Sequence, residues 1–234
     1  MPTIVFVSPK GGAGKTTAAL VLASQLARRT AVTVIDADPN HPIKTWVEGA
    51  DVPPTFRVVS DADEENIIEC IEEAATATPF VIVDLEGTAA KIVLLAISQA
   101  DLVIVPTQGS QLDAEQASRA LKVIKQQEKM SRRPVPFAVL LTRTSVAIRT
   151  RTMAHIHRGL IDASIPMLKT ELHEREAYRA MFSFRQPLEK LDPVHVSNLD
   201  KAIVNAEQLT AEVVELLRKT VADGPAATLQ EASA

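Results

Sequence analysis

The residues with the clearest chemistry lie in the stretch VFVSPKGGAGKTTAAL, residues 5–20. Gly11, Gly12 and Gly14 flank Ala13, and Lys15, Thr16 and Thr17 follow at once. Glycine lets a backbone curl where a Cβ would forbid it, so successive N–H groups can point at one anion. A helix opening near Lys15 adds its positive dipole end to that cradle. Lys15 is then placed to meet the outer phosphates of a nucleotide, and the Thr16 hydroxyl to hold Mg²⁺. The common spacing is G-x-x-x-x-G-K-[ST]. Here Pro9 stands at the first glycine position and a second lysine, Lys10, follows it.

Two acidic segments can serve the same centre. In VTVIDADPN, residues 32–40, an apolar run delivers Asp36 and Asp38. Alternation puts both on one side of a strand, at the carboxyl end where α/β folds bind ligands. Carboxylates there can order water around Mg²⁺ or accept a proton from an attacking water. In FVIVDLEG, residues 80–87, an apolar run ends at Asp84, placed to bind Mg²⁺ through water. Glu86 reads either as a group supporting the Mg²⁺ shell or as a solvated loop residue, with the loop reading preferred. Gly87 can offer a backbone N–H to a γ-phosphate.

These residues need strands that end where helices begin, and the chain supplies them. Strands are predicted over 3–7, 32–35, 56–59, 80–84, 102–105 and 136–141, with a short one near 165–168. Helices are predicted over 15–29, 43–48, 64–76, 89–98, 113–130, 149–163, 174–182 and 199–220. The alternation argues for an α/β fold: a single domain with a mostly parallel twisted sheet and helices on both faces. The domain is expected to cover residues 1–221. Residues 222–234, small and polar around Gly224 and Pro225, are expected to be a disordered tail.

A chain of 234 residues can bury the core of one such domain. Its single cysteine, Cys70, allows no intrachain disulfide and reads as a buried helix thiol. No signal peptide or long apolar run is evident, which predicts a cytoplasmic protein without a stable membrane anchor. Net charge is a mild −4 but unevenly spread. Residues 61–73 hold seven acids and no base. Residues 119–158 hold ten Lys and Arg against the single acid Glu128. On a helix Lys122, Lys125 and Lys129 share one face. Arg151, His155 and Arg158 share another, while Met153, Ile156 and Leu160 face a core. Such runs often merely solvate a helix. An excess this lopsided in an acidic chain favours duplex-phosphate binding, with Arg149 in the same set. No aromatics interleave, which argues against stacking of single-stranded bases.

The sequence KGGAGKTT, with Lys10 as its extra lysine, resembles the deviant P-loop of the ParA/MinD family of ATPases. The resemblance spans roughly residues 2–220 and is specific at the first three motifs. It implies ATP and Mg²⁺ as cofactors and a slow, partner-stimulated hydrolysis. Within it Gly11, Gly12, Ala13, Gly14, Lys15, Thr16 and Thr17 cradle phosphates. Lys10 reaches across an ATP-dependent homodimer, Asp38 positions or activates the hydrolytic water, and Asp36 supports Mg²⁺ beside Thr16 and Asp84. Pro106, Thr142 and Arg143 match segments that lie near adenosine in relatives. The family often has Asp-x-Pro-Pro where this chain has Asp84-Leu85-Glu86-Gly87, and a second proline where it has Gly109. In HEREAYRAMFSF, residues 173–184, relatives place an arginine-bearing helix near the dimer or DNA surface. Arg175 and Arg179 are candidates there, and a surface helix with internal ion pairs is an equal reading. One cysteine excludes relatives of this loop that need cysteine-held clusters or metal sites. The likeness is greatest to plasmid-type ParA proteins and the conjugative VirC-type ATPases. It implies non-specific double-stranded DNA, a centromere-binding ParB-type or cargo-adaptor partner, and nucleoid association. A MinD-like membrane cycle is the alternative, disfavoured because residues 207–234 hold five acids against Arg218 and Lys219.

Overall fold

The computed structural model describes residues 1–8, 11–86, 91–109, 111–145 and 151–222, with side chains described except at 111–116, 151–152 and 221–222. Among the described residues seven parallel strands form one sheet in the order β3-β2-β4-β1-β5-β6-β7. The strands are β1 (Thr3–Phe6), β2 (Val32–Ala37), β3 (Phe56–Val59), β4 (Phe80–Leu85), β5 (Leu102–Thr107), β6 (Phe137–Thr144) and β7 (Leu172–His173). The helices are α1 (Lys15–Ala27), α2 (Pro42–Val47), α3 (Ile67–Ala77), α4 (Lys91–Ser98), α5 (Gln111–Ser131), α6 (Arg151–Asp162), α7 (Glu176–Phe184) and α8 (Leu199–Ala222).

Side chains alternate across the central strands and build a core on each face. Ile4, Phe6, Val32, Val34 and Ile82 face α1, α2, α7 and α8. Val5, Val7, Ile35, Val81 and Val83 face α3, α4, α5 and α6. Strands covered on both faces read as continuous apolar runs, which is why the sequence marks them so clearly. Helix α1 is buried nearly all round, as its Ala- and Leu-rich composition requires.

The fold departs from expectation in a few places. The short strand expected near 165–168 makes only an isolated bridge, Val139 to Met167. The seventh strand is Leu172–His173, too short for alternation to reveal. β5 continues through Pro106 to Thr107, pairing Pro106 with Leu140. Cys70 is half-buried rather than buried. α8 runs to Ala222, and the expected tail beyond it lies outside the described residues.

Candidate functional site

The order of the central strands decides the site. β4 lies between β2 and β1, so the segments that carry Asp36, Asp84 and Lys15 end in three successive positions across the sheet. Register pairs Asp36 with Asp84 directly, and Phe6, just before the loop, with Asp84.

The loop itself turns as the glycines allow. Gly12 and Gly14 have φ of 78° and 91°, left-handed values that a side chain would strain. A Cβ at Gly11 or Gly12 would meet nothing within 4 Å among the described residues, which leave the cradle open. Gly14 caps α1, and its carbonyl accepts the Ala18 N–H at 2.9 Å. Two distant side chains brace the curl. The Gln108 side-chain amide donates to the Gly12 carbonyl at 2.7 Å, and the Thr142 hydroxyl to that of Ala13 at 2.8 Å. Pro106, by contrast, is buried within β5. Gln108 of that segment touches the loop. Its only sequence signal is its place just after a strand end.

Lys15 is 8% exposed. Burial lowers its pKa, while Asp84, then Asp38, then Glu86 oppose that shift. Glu86 is exposed, as the loop reading expected, yet close enough for its charge to act on Lys15. Asp84 is fully buried. Burial pushes its carboxyl up to about 7; the Thr16 hydroxyl and Lys15 oppose the rise, and Asp36 and Asp38 add to it. Neither Asp84 oxygen meets a well-aligned hydrogen-bond donor among the described residues, although Thr16 stands beside it.

Asp36 is also fully buried and has a raised pKa, burial being the main cause. Its Oδ2 accepts the backbone N–H groups of Ile43 and Lys44, each at 2.8 Å. Pro42 opens α2 without an N–H, so Asp36 takes the next two orphan donors. Its Oδ1 is enclosed without a partner among the described residues. Asp38 lies beyond the strand, half-buried. Its Oδ1 accepts the Asn40 backbone and side-chain N–H groups at 2.9 and 3.0 Å. The loop from Asp38 to His41, whose φ is 43°, is thus pinned between Asp36 and α2.

Buried carboxylate oxygens without donors, beside a threonine hydroxyl and an open anion cradle, fit a hard cation shared with a phosphate ligand. No group of three or more His, Cys, Asp or Glu among the described residues makes a metal cage of protein alone. Mg²⁺ suits that arrangement, because it keeps waters and takes oxygens from the ligand.

Lys10, Gly87 and Arg149 lie outside the described residues. Arg143 is exposed, with φ of 51°, and its Nε is 4.0 Å from Glu174. Lys122, Lys125 and Lys129 are exposed on α5 and Arg158 on α6; the Arg151 side chain is not described. Ile156 and Leu160 are buried and Met153 half-buried, as helical spacing predicts. Arg133 is occupied, pairing with the Ala100 carbonyl and Asp101. Arg179 is ion-paired with Glu174 and Glu176, in line with the internal ion-pair reading.

The model of the VirC1 protein family matches residues 1–223. Protein ParA of Rhizobium radiobacter is 36% identical over 222 residues, covering 94% of this chain and all of that protein. Among solved structures, apo McdA of Cyanothece superposes with a TM-score of 0.73 at 18% identity, over 89% of this chain and 99% of that one. The cell division ATPase MinD of Pyrococcus furiosus gives 0.68 at 19%, over 92% and 99%. The structural likenesses establish the shared fold, and the sequence matches extend along nearly the whole chain. On those matches the chain belongs to the VirC1 protein family and is a relative of ParA, with a fold it shares with MinD.

Proposed function

We propose that this protein is a Mg²⁺-dependent ATPase that closes a homodimer on ATP, binds double-stranded DNA without sequence preference, and positions a cargo. The observation that carries the reading is the convergence of Lys15 with Asp84 and Asp38 beneath an open glycine cradle. Backbone N–H groups from Gly11 to Thr17 hold the phosphates, and Lys15 neutralises the outer ones. Thr16, Asp84 and the unpartnered Oδ1 of Asp36 would hold Mg²⁺ on the protein side. Mg²⁺ held there would supply charge neutralisation to the phosphates. Asp38, pinned in its turn, orients water for in-line attack and takes its proton as the bond to ADP breaks. Lys10 acts from one protomer on the partner's nucleotide.

The ATP-closed dimer sets two copies of the α5 and α6 cations side by side, which multiplies phosphate contacts. A ParB-type or adaptor partner prompts hydrolysis and release. The resemblance to plasmid-type ParA proteins and conjugative VirC-type ATPases favours DNA handling over a membrane cycle. No helix among the described residues is long and apolar enough to cross a membrane. The test is retention of the full chain on unrelated DNA duplexes and on anionic liposomes, each with ATP, ADP and no nucleotide. Retention on DNA with ATP alone is expected. ATP-dependent retention on liposomes in its place would favour the MinD-like alternative.

A further inference from the structure

The connector between β5 and α5 is held at two places by elements remote in the chain. Gln108 directly follows the last residue of β5, and its side-chain amide donates to the Gly12 carbonyl at 2.7 Å. Gly109 comes next, and a Cβ there would collide with the Met153 thioether. Met153 of α6 therefore lies in the space a side chain would fill. Ile156 and Leu160 of the same helix are buried, and Met153 packs against the core they belong to. A tight packing contact with α6 and a hydrogen bond to the P-loop thus meet on adjacent residues. Dense packing passes a displacement on rather than absorbing it.

The hydrogen bond bears directly on phosphate. A peptide unit is planar and trans, so a carbonyl held on one side sends the next N–H to the other. Gln108 holds the Gly12 carbonyl and so turns the Ala13 N–H; Thr142 holds the Ala13 carbonyl and so turns the Gly14 N–H. Gly12, at φ of 78°, has no side chain to keep that orientation by itself. What stands behind the two braces differs. Thr142 is buried within β6, whereas Gln108 is half-buried on the connector that Met153 overlies.

We propose that Met153, Gly109 and Gln108 form a relay through which α6 and the phosphate cradle regulate one another. With α6 in its seat, Gln108 stays on Gly12 and the Ala13 N–H stays turned to a phosphate; a bound phosphate in turn holds α6. Gln108 is the positioning residue of the relay. The inference rests on the nucleotide reading of the cradle and adds what controls its affinity. By linkage the effect has the same size in both directions.

The test uses the full chain with Mg²⁺, reads ATP affinity by calorimetry, and follows amide hydrogen exchange over α6 with and without ATP. In the native chain ATP should slow that exchange. Gln108→Ala should weaken ATP about tenfold, the worth of one hydrogen bond, and ATP should then leave α6 exchange unchanged. Gln108→Met keeps the length without the donor and should match the alanine variant. Met153→Ala should weaken ATP and also remove the response of α6. The double alanine variant should bind ATP no more weakly than Gln108→Ala alone, because both changes cut one path. Met153→Leu, close in volume, should restore the response. The relay is overturned if ATP still slows α6 exchange in Gln108→Ala, or if the losses of the two single variants add. A native chain that binds ATP without slowing α6 exchange also overturns it. A native chain that does not bind ATP overturns the nucleotide reading itself.

Discussion

Lys15 and the three aspartates divide the work, and each division is testable. Lys15→Ala should abolish ATP binding in a folded chain, because the buried ammonium is the cation placed among the carboxylates at the cradle. Unchanged ATP affinity by calorimetry would refute the assignment. Asp38→Ala should keep ATP binding but stop phosphate release and trap the ATP-bound dimer, seen by size exclusion. Asp38 is tied by one oxygen to Asn40, so its loss should also loosen the turn without unfolding the sheet. Asp84 carries a pH signature. Its folded pKa is raised to about 7, so between the ordinary carboxylate range and pH 7 the metal-free fold binds more protons than the unfolded chain. Stability should therefore fall as pH rises through that window, and the loss is complete above it. Asp84→Asn should flatten this fall and raise metal-free stability at pH 8 by roughly a few kcal/mol. Urea midpoints at pH 5 and pH 8 decide it: an equal fall in both proteins would remove Asp84 as the cause. Asp36, raised in the same direction, leaves a residual slope in the variant.

At the scale of elements, α5 and α6 carry the candidate DNA surface. Lys122, Lys125, Lys129 and Arg158 are exposed and form no ion pair among the described residues. Reversing Lys122, Lys125 and Lys129, or Arg151 and Arg158, should weaken unrelated duplexes equally. The slope of log affinity against log salt should flatten by about 0.9 for every phosphate that the variant no longer neutralises. The α6 pair is expected to matter more. ATP binding should survive both sets, since the cradle is braced by Gln108 and Thr142 instead. DNA retention that ignores both changes would exclude these faces. Helices and strands were legible where their period was long enough to count: Ile156 and Leu160 of α6 mark its buried face. β7 was not, because two residues show no alternation and its pairing depends on where α7 and α8 pack.

For the whole molecule, the remaining prediction concerns Lys10. Gly11 to Thr17 fill the cradle within one chain, so Lys10→Ala should still bind ATP as a monomer but neither dimerise nor hydrolyse it. Light scattering with ATP and Mg²⁺ checks this; an ATP-dependent dimer of the variant would make this an ordinary P-loop. The sequence by itself determined the cradle, the strand ends that deliver Asp36 and Asp84, and the two-sided parallel sheet. All three are written in near neighbours: consecutive glycines set φ, and doubly buried strands must be apolar throughout. Only the tertiary structure decided which residues brace that site. Gln108 meets Gly12 across 96 positions and Thr142 meets Ala13 across 129. It also spent one Asp36 oxygen on α2 and laid Met153 of α6 over Gly109. Such pairings leave no local pattern. They depend on strand order and helix packing, which bring together side chains that composition and period treat as unrelated.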